Sequence, residues 1–253
     1  MKRIVLSALA FLLIFLLCGC SSVEPTVSSL DDVDGKTVGV VSGTLSEEFI
    51  DKMDLDVIVK EYTTEDAASA DLKNGTVDCI IIDESKVSSI VKIFSGLKTL
   101  SEEMGKVQLS FVCSRARADI ASALSEKMKE LAVVGDILKS FAKGKEYIYE
   151  PSQEKYDTVL TVGVCLAGSP YAYINDDDVL TGFEVEIAKA VCDSMGLGIE
   201  FKTVSRDEVL PMISTGELDF ALGGLFHFSS SSDDLVSYSA SYYSVNQMVI
   251  TRK

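Results

Sequence analysis

The chain has no tryptophan, one histidine and four prolines in 253 residues. A lone histidine leaves no partner for a histidine-built metal centre or relay. Basic residues are also scarce. Lys and Arg number 23 against 39 Asp and Glu, for a net charge of −16. A nucleic-acid binder draws its affinity from a basic face, so that class is excluded. GxSxG, Walker A and zinc-protease motifs are absent, and nothing implies a metal or a cofactor. What is present is an apolar fraction of 47% and a charged fraction of 25%. Those proportions describe a folded chain long enough for one large domain or two small ones.

The longest apolar run lies at the start. Residues 4–18, IVLSALAFLLIFLLC, follow a basic Met1-Lys2-Arg3. The run is short for a spanning helix and suits the core of a secretory signal, here residues 1–19. It ends in Leu17-Cys18-Gly19-Cys20 before Ser21-Ser22, which resembles the bacterial lipobox. The resemblance implies that Cys20 carries the lipid and opens the mature chain, with 20–30 as a polar tether. Two acyl chains suffice for stable anchoring. The chain is therefore expected outside the cytoplasm, held to the cell membrane. Cys79, Cys113, Cys165 and Cys192 also lie in apolar runs. Four cysteines allow three pairings, but buried small hydrophobes are the expected role.

From residue 31 strand-like and helix-like segments alternate. Thr37–Val41, Val57–Glu61 and Val77–Ile82 read as strands, the last as a fully buried one. Leu45–Met53 and 64–74 read as helices, the second stopped by Gly75. The order repeats later. Leu160–Val164, Ile199–Thr203 and Leu218–Leu222 read as strands. Phe183–Met195 and 206–215 read as helices, the latter stopped by Gly216. The echo is literal: LKNGTVDCII at 72–81 faces ISTGELDFAL at 213–222, so Gly75 and Asp78 match Gly216 and Asp219. Alternation of this kind predicts α/β units with parallel strands, and two such units predict two lobes around a cleft. Between them, 107–114 reads as a strand, 119–143 as two helices broken near Gly135, and 144–157 as a polar linker.

The stretches LTVGVCLAGSPYAYIN, LTGFEVEIAKAVCDSMG, VLPMISTGELDFALGGL and SYSASYYSVNQMVI resemble the first lobe of family 3 extracytoplasmic solute-binding proteins, the amino-acid receptors of ABC importers. DVDGKTVGVVSGTLSEEF, LKNGTVDCIIIDE and VQLSFVCSR resemble the second lobe. The resemblance implies a two-lobed α/β fold of the type II periplasmic-binding-protein kind. It also implies a non-enzymatic function: delivery of a small polar solute, such as an amino acid or an amine, to an ABC permease. The lobes stand in reversed order, which reads as circular permutation, with half of a tandem array or domain swapping between molecules as the rival account. Residues 31–106 form the second-lobe-like domain, and 107–143 the crossing strand and the helices packed on the first lobe. Residues 158–253 form the first-lobe-like domain. Only 107–114 is expected to cross between lobes as unbroken chain, and a monomer is expected. Two other classes stay open: a dehydratase-like enzyme using Asp83 and Glu84, and a receptor that scaffolds or signals without solute.

In the family an Asp of the second lobe takes the ligand ammonium and an Arg of the first takes its carboxylate. Asp83 matches the Asp; as a strand-ending residue its other reading is an N-cap. Ser42, Thr44 and Leu45 match the loop that opens the second lobe's first helix, and Thr44-Leu45-Ser46-Glu47 has the spacing of a capping box. The Arg position holds Ser231, and no Lys or Arg lies between 207 and 250. Cys165 and Gly168 stand where the family has an Asp and an aromatic residue. Gly223 and Gly224 are expected to offer backbone amides, with Tyr171, Tyr173 and Phe226 lining the site. An acidic crevice without that Arg favours a cationic or polar amine, a peptide-like compound or no ligand at all over a standard amino acid, because an unpaired buried carboxylate is costly. His227 reads as a surface residue, and Ser229–Ser232 as a loop before a helix.

Overall fold

A computed structural model describes residues 27–226 and 235–253. It contains two five-stranded sheets and a short hairpin. The first sheet is built from β1 (Thr37–Val41), β2 (Ile58–Tyr62), β3 (Cys79–Asp83), β4 (Leu97–Leu109) and β12 (Tyr243–Arg252). The second uses β5 (Val112–Ser114), β6 (Val159–Val164), β9 (Gly198–Thr203), β10 (Phe220–Leu222) and β11 (Val236–Tyr238). β7 (Tyr173–Ile174) and β8 (Leu180–Thr181) form the hairpin. The helices are α1 (Leu45–Asp51), α2 (Glu65–Asn74), α3 (Glu84–Ile93), α4 (Ala118–Glu130), α5 (Ala132–Ala142), α6 (Phe183–Ser194) and α7 (Arg206–Thr215).

The two sheets share one plan. Their orders are β2-β1-β3-β12-β4 and β9-β6-β10-β5-β11. In each, three parallel strands are followed by one antiparallel strand and an edge strand. The antiparallel strand is in each case delivered from the other sheet's edge. β4 runs through Ser110 and Phe111 into β5, and β11 runs through 239–242 into β12. This corrects the expectation of a single covalent crossing: both crossings are continuous chain. The sequence pattern of 243–252 is that of any buried strand, so it carries no sign of which sheet receives it. The two crossings pair with each other. Phe111 N–H donates to Ser239 Oγ at 2.9 Å, Ser239 N–H donates to the Phe111 carbonyl at 2.9 Å, and the Phe111 and Tyr242 rings lie 4.7 Å apart.

The repeated letters have a shared physical cause. Gly75 and Gly216 end α2 and α7 in the left-handed region, at φ 80° and 78°, where glycine has no Cβ to clash. Asp78 then accepts from Thr37 N–H at 3.0 Å and Asp219 from Thr161 N–H at 2.9 Å. Each aspartate thus satisfies the first backbone donor of the neighbouring strand, fixing the start of β1 and of β6. β3 is buried along its whole length, as its continuous apolar run predicts.

Three local expectations need correction. The helix break in 118–142 falls at Leu131, whose ψ of 112° leaves helical space, and Gly135 lies inside α5. Thr44 makes no side-chain cap bond. Its hydroxyl donates to the Val41 carbonyl at 2.6 Å, while Glu47 reaches past it to the Gly43 N–H, also at 2.6 Å. The capping box therefore does not close. Asp83 precedes α3 but makes no cap bond either. Residues 144–157 carry no helix or strand, yet they are tied down. Tyr149 N–H donates to the buried Glu186 at 2.7 Å, and Tyr149, Ser152 and Tyr156 hydroxyls converge on Asp193 of α6. Burial opposes ionisation of Asp193, but these donors outweigh it and hold its pKa down at about 2.

Among the described residues no helix is long and apolar enough to cross a membrane. Cys79, Cys113, Cys165 and Cys192 are free thiols, all buried. Burial pushes the Cys165 thiol up to about 11 and the others to about 12.

Candidate functional site

The two halves meet along α1. Leu45 is buried against the β10 end, where a Cβ placed on Gly224 would lie 3.4 Å from its Cδ2. One turn on, Glu48 Oε2 accepts from Arg206 Nη1 of α7 at 2.6 Å. Two turns from Leu45, Lys52 Nζ stands 4.0 Å above the Phe226 ring. Spacing of three and seven residues puts these groups on one helix face, so α1 presents a single stripe to the other sheet. Beside this contact lies a small cavity of about 210 Å³. Its walls come from both halves: Ser42, Gly43, Thr44, Ser46, Glu65, Asp83 and Lys86 on one side, Leu166, Ala167 and Gly168 on the other. A wider opening of about 1020 Å³ continues outward past Glu47, Glu48, Asp51 and Cys165 to the start of α7.

Asp83 closes β3 at the floor of this cavity and is 6% exposed. Its Oδ1 accepts from Gln247 Nε2 at 2.6 Å, and Tyr171 of the other half lies near enough to help lower its pKa. Gln247 in turn accepts from Ser46 Oγ at 2.7 Å. Ser46, Gln247 and Asp83 thus form a hydrogen-bonded chain along the first half's side of the cleft. Burial raises the Asp83 pKa against the lowering effect of these bonds, since desolvation penalises the charged carboxylate.

The other predicted site residues fall as follows. Ser42, Thr44 and Gly168 line the small cavity, and Leu45 is buried in the contact beside it. Cys165 lines the wider opening, with its N–H bound to the Leu222 carbonyl. Gly224 gives its N–H at 2.8 Å to Glu184 rather than to the cleft. Gly223 sits at φ 109°, where a Cβ would lie 1.9 Å from the Cys165 carbonyl oxygen. Phe226 lies under Lys52. Tyr173 lines neither opening and donates to Glu146 at 2.9 Å. Glu84 is exposed and accepts from Asn246 at 2.8 Å, so it does not share the small cavity with Asp83. Ser231, His227, Ser229–Ser232 and Cys20 lie outside the described residues.

Sequence reading missed Glu184, Gln247, Ser46 and Arg206. Glu184 is fully buried at the start of α6 and also accepts from the Tyr242 hydroxyl. Its surroundings push its pKa up to about 7, burial outweighing the donors and the Arg206 charge. A doubled acid in FEVEIAK was the available signal, since an acidic residue inside an apolar run must find partners if buried.

Two α/β lobes with matching strand order, joined by two crossings and enclosing a polar cavity, form a type II periplasmic-binding-protein-like fold. Residues 160–253 match the bacterial extracellular solute-binding proteins, family 3. The chain is 29% identical over 115 residues to the L-cystine-binding protein TcyJ of Escherichia coli K12, covering 45% of this chain and 43% of that protein. It is 27% identical over 94 residues to the arginine-binding extracellular protein ArtP of Bacillus subtilis, covering 37% and 36%. It is 26% identical over 126 residues to the ABC transporter arginine-binding protein 1 of Escherichia coli K12, covering 50% and 47%. Each match spans less than half of the relative's length. These relatives are named as binding proteins, not as enzymes.

Proposed function

We propose that the chain is a lipid-anchored extracytoplasmic receptor. It closes two lobes over one small polar solute and passes that solute to an ABC permease. The observation that carries this reading is the 210 Å³ cavity shared by both lobes, floored by the buried Asp83. Its size suits an amino acid or a small amine, and its acid is placed to meet an ammonium group. Ser42 and Thr44 line it, while Leu45, Phe226, Gly223 and Gly224 shape the neighbouring lobe contact; Gln247 holds Asp83 by a hydrogen bond. Closure is a population shift, driven by contacts that the solute makes only when the lobes meet. The match to named solute-binding proteins supports the same class.

The reversed lobe order is part of the proposal. It is supported by Thr251 Oγ1 donating to the Val27 carbonyl at 2.9 Å and Lys253 N–H to the Gly96 carbonyl at 2.8 Å. The two cut positions of a permuted chain must lie close together, and these do. Linking 253 to 27 and opening the chain within 144–157 should therefore give a folded protein of the same far-UV spectrum; failure to fold would count against permutation. Cys20 is proposed as the lipidated residue, which mass spectrometry of the membrane-extracted protein checks. The receptor reading is tested by thermal shift of the purified mature chain, proposed as a monomer, against amino acids and amines. A saturable rise in midpoint without chemical change of the solute is the expected result. A flat response to every compound would favour a scaffold without solute, and turnover would favour an enzyme.

A further inference from the structure

We infer that the solute is a small organic cation without a carboxylate, an amine rather than an amino acid. The inference rests on the receptor reading above and narrows it. Its basis is where the cavity's hydrogen atoms point. Ser42 Oγ donates to Glu61 at 3.0 Å, Thr44 Oγ1 to the Val41 carbonyl at 2.6 Å, and Ser46 Oγ to Gln247 at 2.7 Å. Each hydroxyl that lines the cavity thus spends its one proton on a protein acceptor, and only lone pairs remain for a guest.

The groups that would hold an anion are engaged in the same way. Gly43 N–H is taken by Glu47 at 2.6 Å. Gly224 N–H is taken by Glu184 at 2.8 Å. The Arg206 guanidinium is taken by Glu48 at 2.6 Å and reaches the Gly224 carbonyl at 3.1 Å. Lys86, which lines the cavity, is the exception: it stands 4.0 Å from Glu65, near enough to offset its charge and too far to hydrogen-bond it. Glu47, Glu184 and Glu48 therefore already take the donors around the cleft, and Glu65 offsets the Lys86 charge. Residues 227–234 add no Lys or Arg. Among the described side chains that line the small cavity, a guest carboxylate would find one unspent donor, the Lys86 ammonium, whose charge Glu65 already offsets, so its desolvation would be poorly compensated. A guest ammonium brings donors to these acceptors, with Asp83 to balance its charge while Glu65 and Lys86 offset each other.

The test uses pairs that differ only by the α-carboxylate: lysine and cadaverine, arginine and agmatine, tyrosine and tyramine. Each is titrated calorimetrically into the mature chain at neutral pH. At least one amine is expected to bind, with its amino acid at least tenfold weaker. Glu65→Gln should weaken the amine, and Glu47→Ala, which frees the Gly43 amide, should narrow the gap within the pair. Glu65→Gln lowers amine affinity whereas Glu47→Ala raises amino-acid affinity, and a general loss of folding, which weakens every compound, does not imitate the second. An amino acid binding as tightly as its amine, or more tightly, overturns the inference while leaving the receptor reading intact. Silence from both members of every pair contradicts the receptor reading, and this inference falls with it.

Discussion

Arg206 and Glu48 meet at 2.6 Å across the two lobes, with side chains 19% and 16% exposed. Arg206 opens α7 and Glu48 lies in α1, so the pair joins elements from opposite sheets. Half-buried pairs of this kind are screened less than surface pairs, and a coupling of about 1–2 kcal/mol is expected. A double-mutant cycle of Glu48→Gln and Arg206→Gln, read by urea unfolding, measures it. Each single variant should also raise the radius of gyration in X-ray scattering as the lobes part. A coupling near zero with an unchanged radius would remove the pair from closure.

Stability should fall as pH rises from about 4.5 to about 7. Glu184 has its pKa raised from 4.5 to about 7 in the fold. A raised carboxylate favours the folded state fully below its unfolded pKa, and the advantage is lost as pH climbs through the folded value. The swing from this group is about 3 kcal/mol. Asp83, also raised by burial, acts in the same direction. Glu184→Gln should flatten most of the slope in denaturant midpoints measured across that range. An unchanged slope would show that Glu184 ionises freely in the folded chain.

Gly223→Ala should cost more than about 2 kcal/mol, because it combines a strained φ with a direct clash. The position has φ 109° and puts a Cβ 1.9 Å from the Cys165 carbonyl oxygen. Gly135→Ala provides the contrast. It lies within α5 and has open space around its Cβ position, so alanine should stabilise by about 0.5–1 kcal/mol. Thermal midpoints moving in opposite directions would confirm both assignments.

Much of the fold was legible locally. The Gly75–Asp78 and Gly216–Asp219 echo survives because a left-handed cap and a strand-starting carboxylate are short-range devices. Asp83 was legible as a residue at the crevice because a carboxylate ending a buried strand faces it, and the family resemblance pointed to the same position. Its actual partners were not. Gln247 lies 164 residues away and Ser46 lies 201 from Gln247, and no local pattern encodes such pairings. The Thr44 box failed for a related reason. Glu47 had two backbone donors within reach, and the positive-φ Gly43 presented the one it took. The destination of 243–252 was hidden because an alternating strand fits either sheet equally well.

The central claim is that a solute sits between the lobes on Asp83, and calorimetric titration of Asp83→Ala measures it most directly. With the tightest-binding amine from the paired set, the account predicts loss of detectable binding while circular dichroism and the cooperative unfolding transition persist. An affinity equal to that of the unaltered chain would place the solute elsewhere and contradict the account.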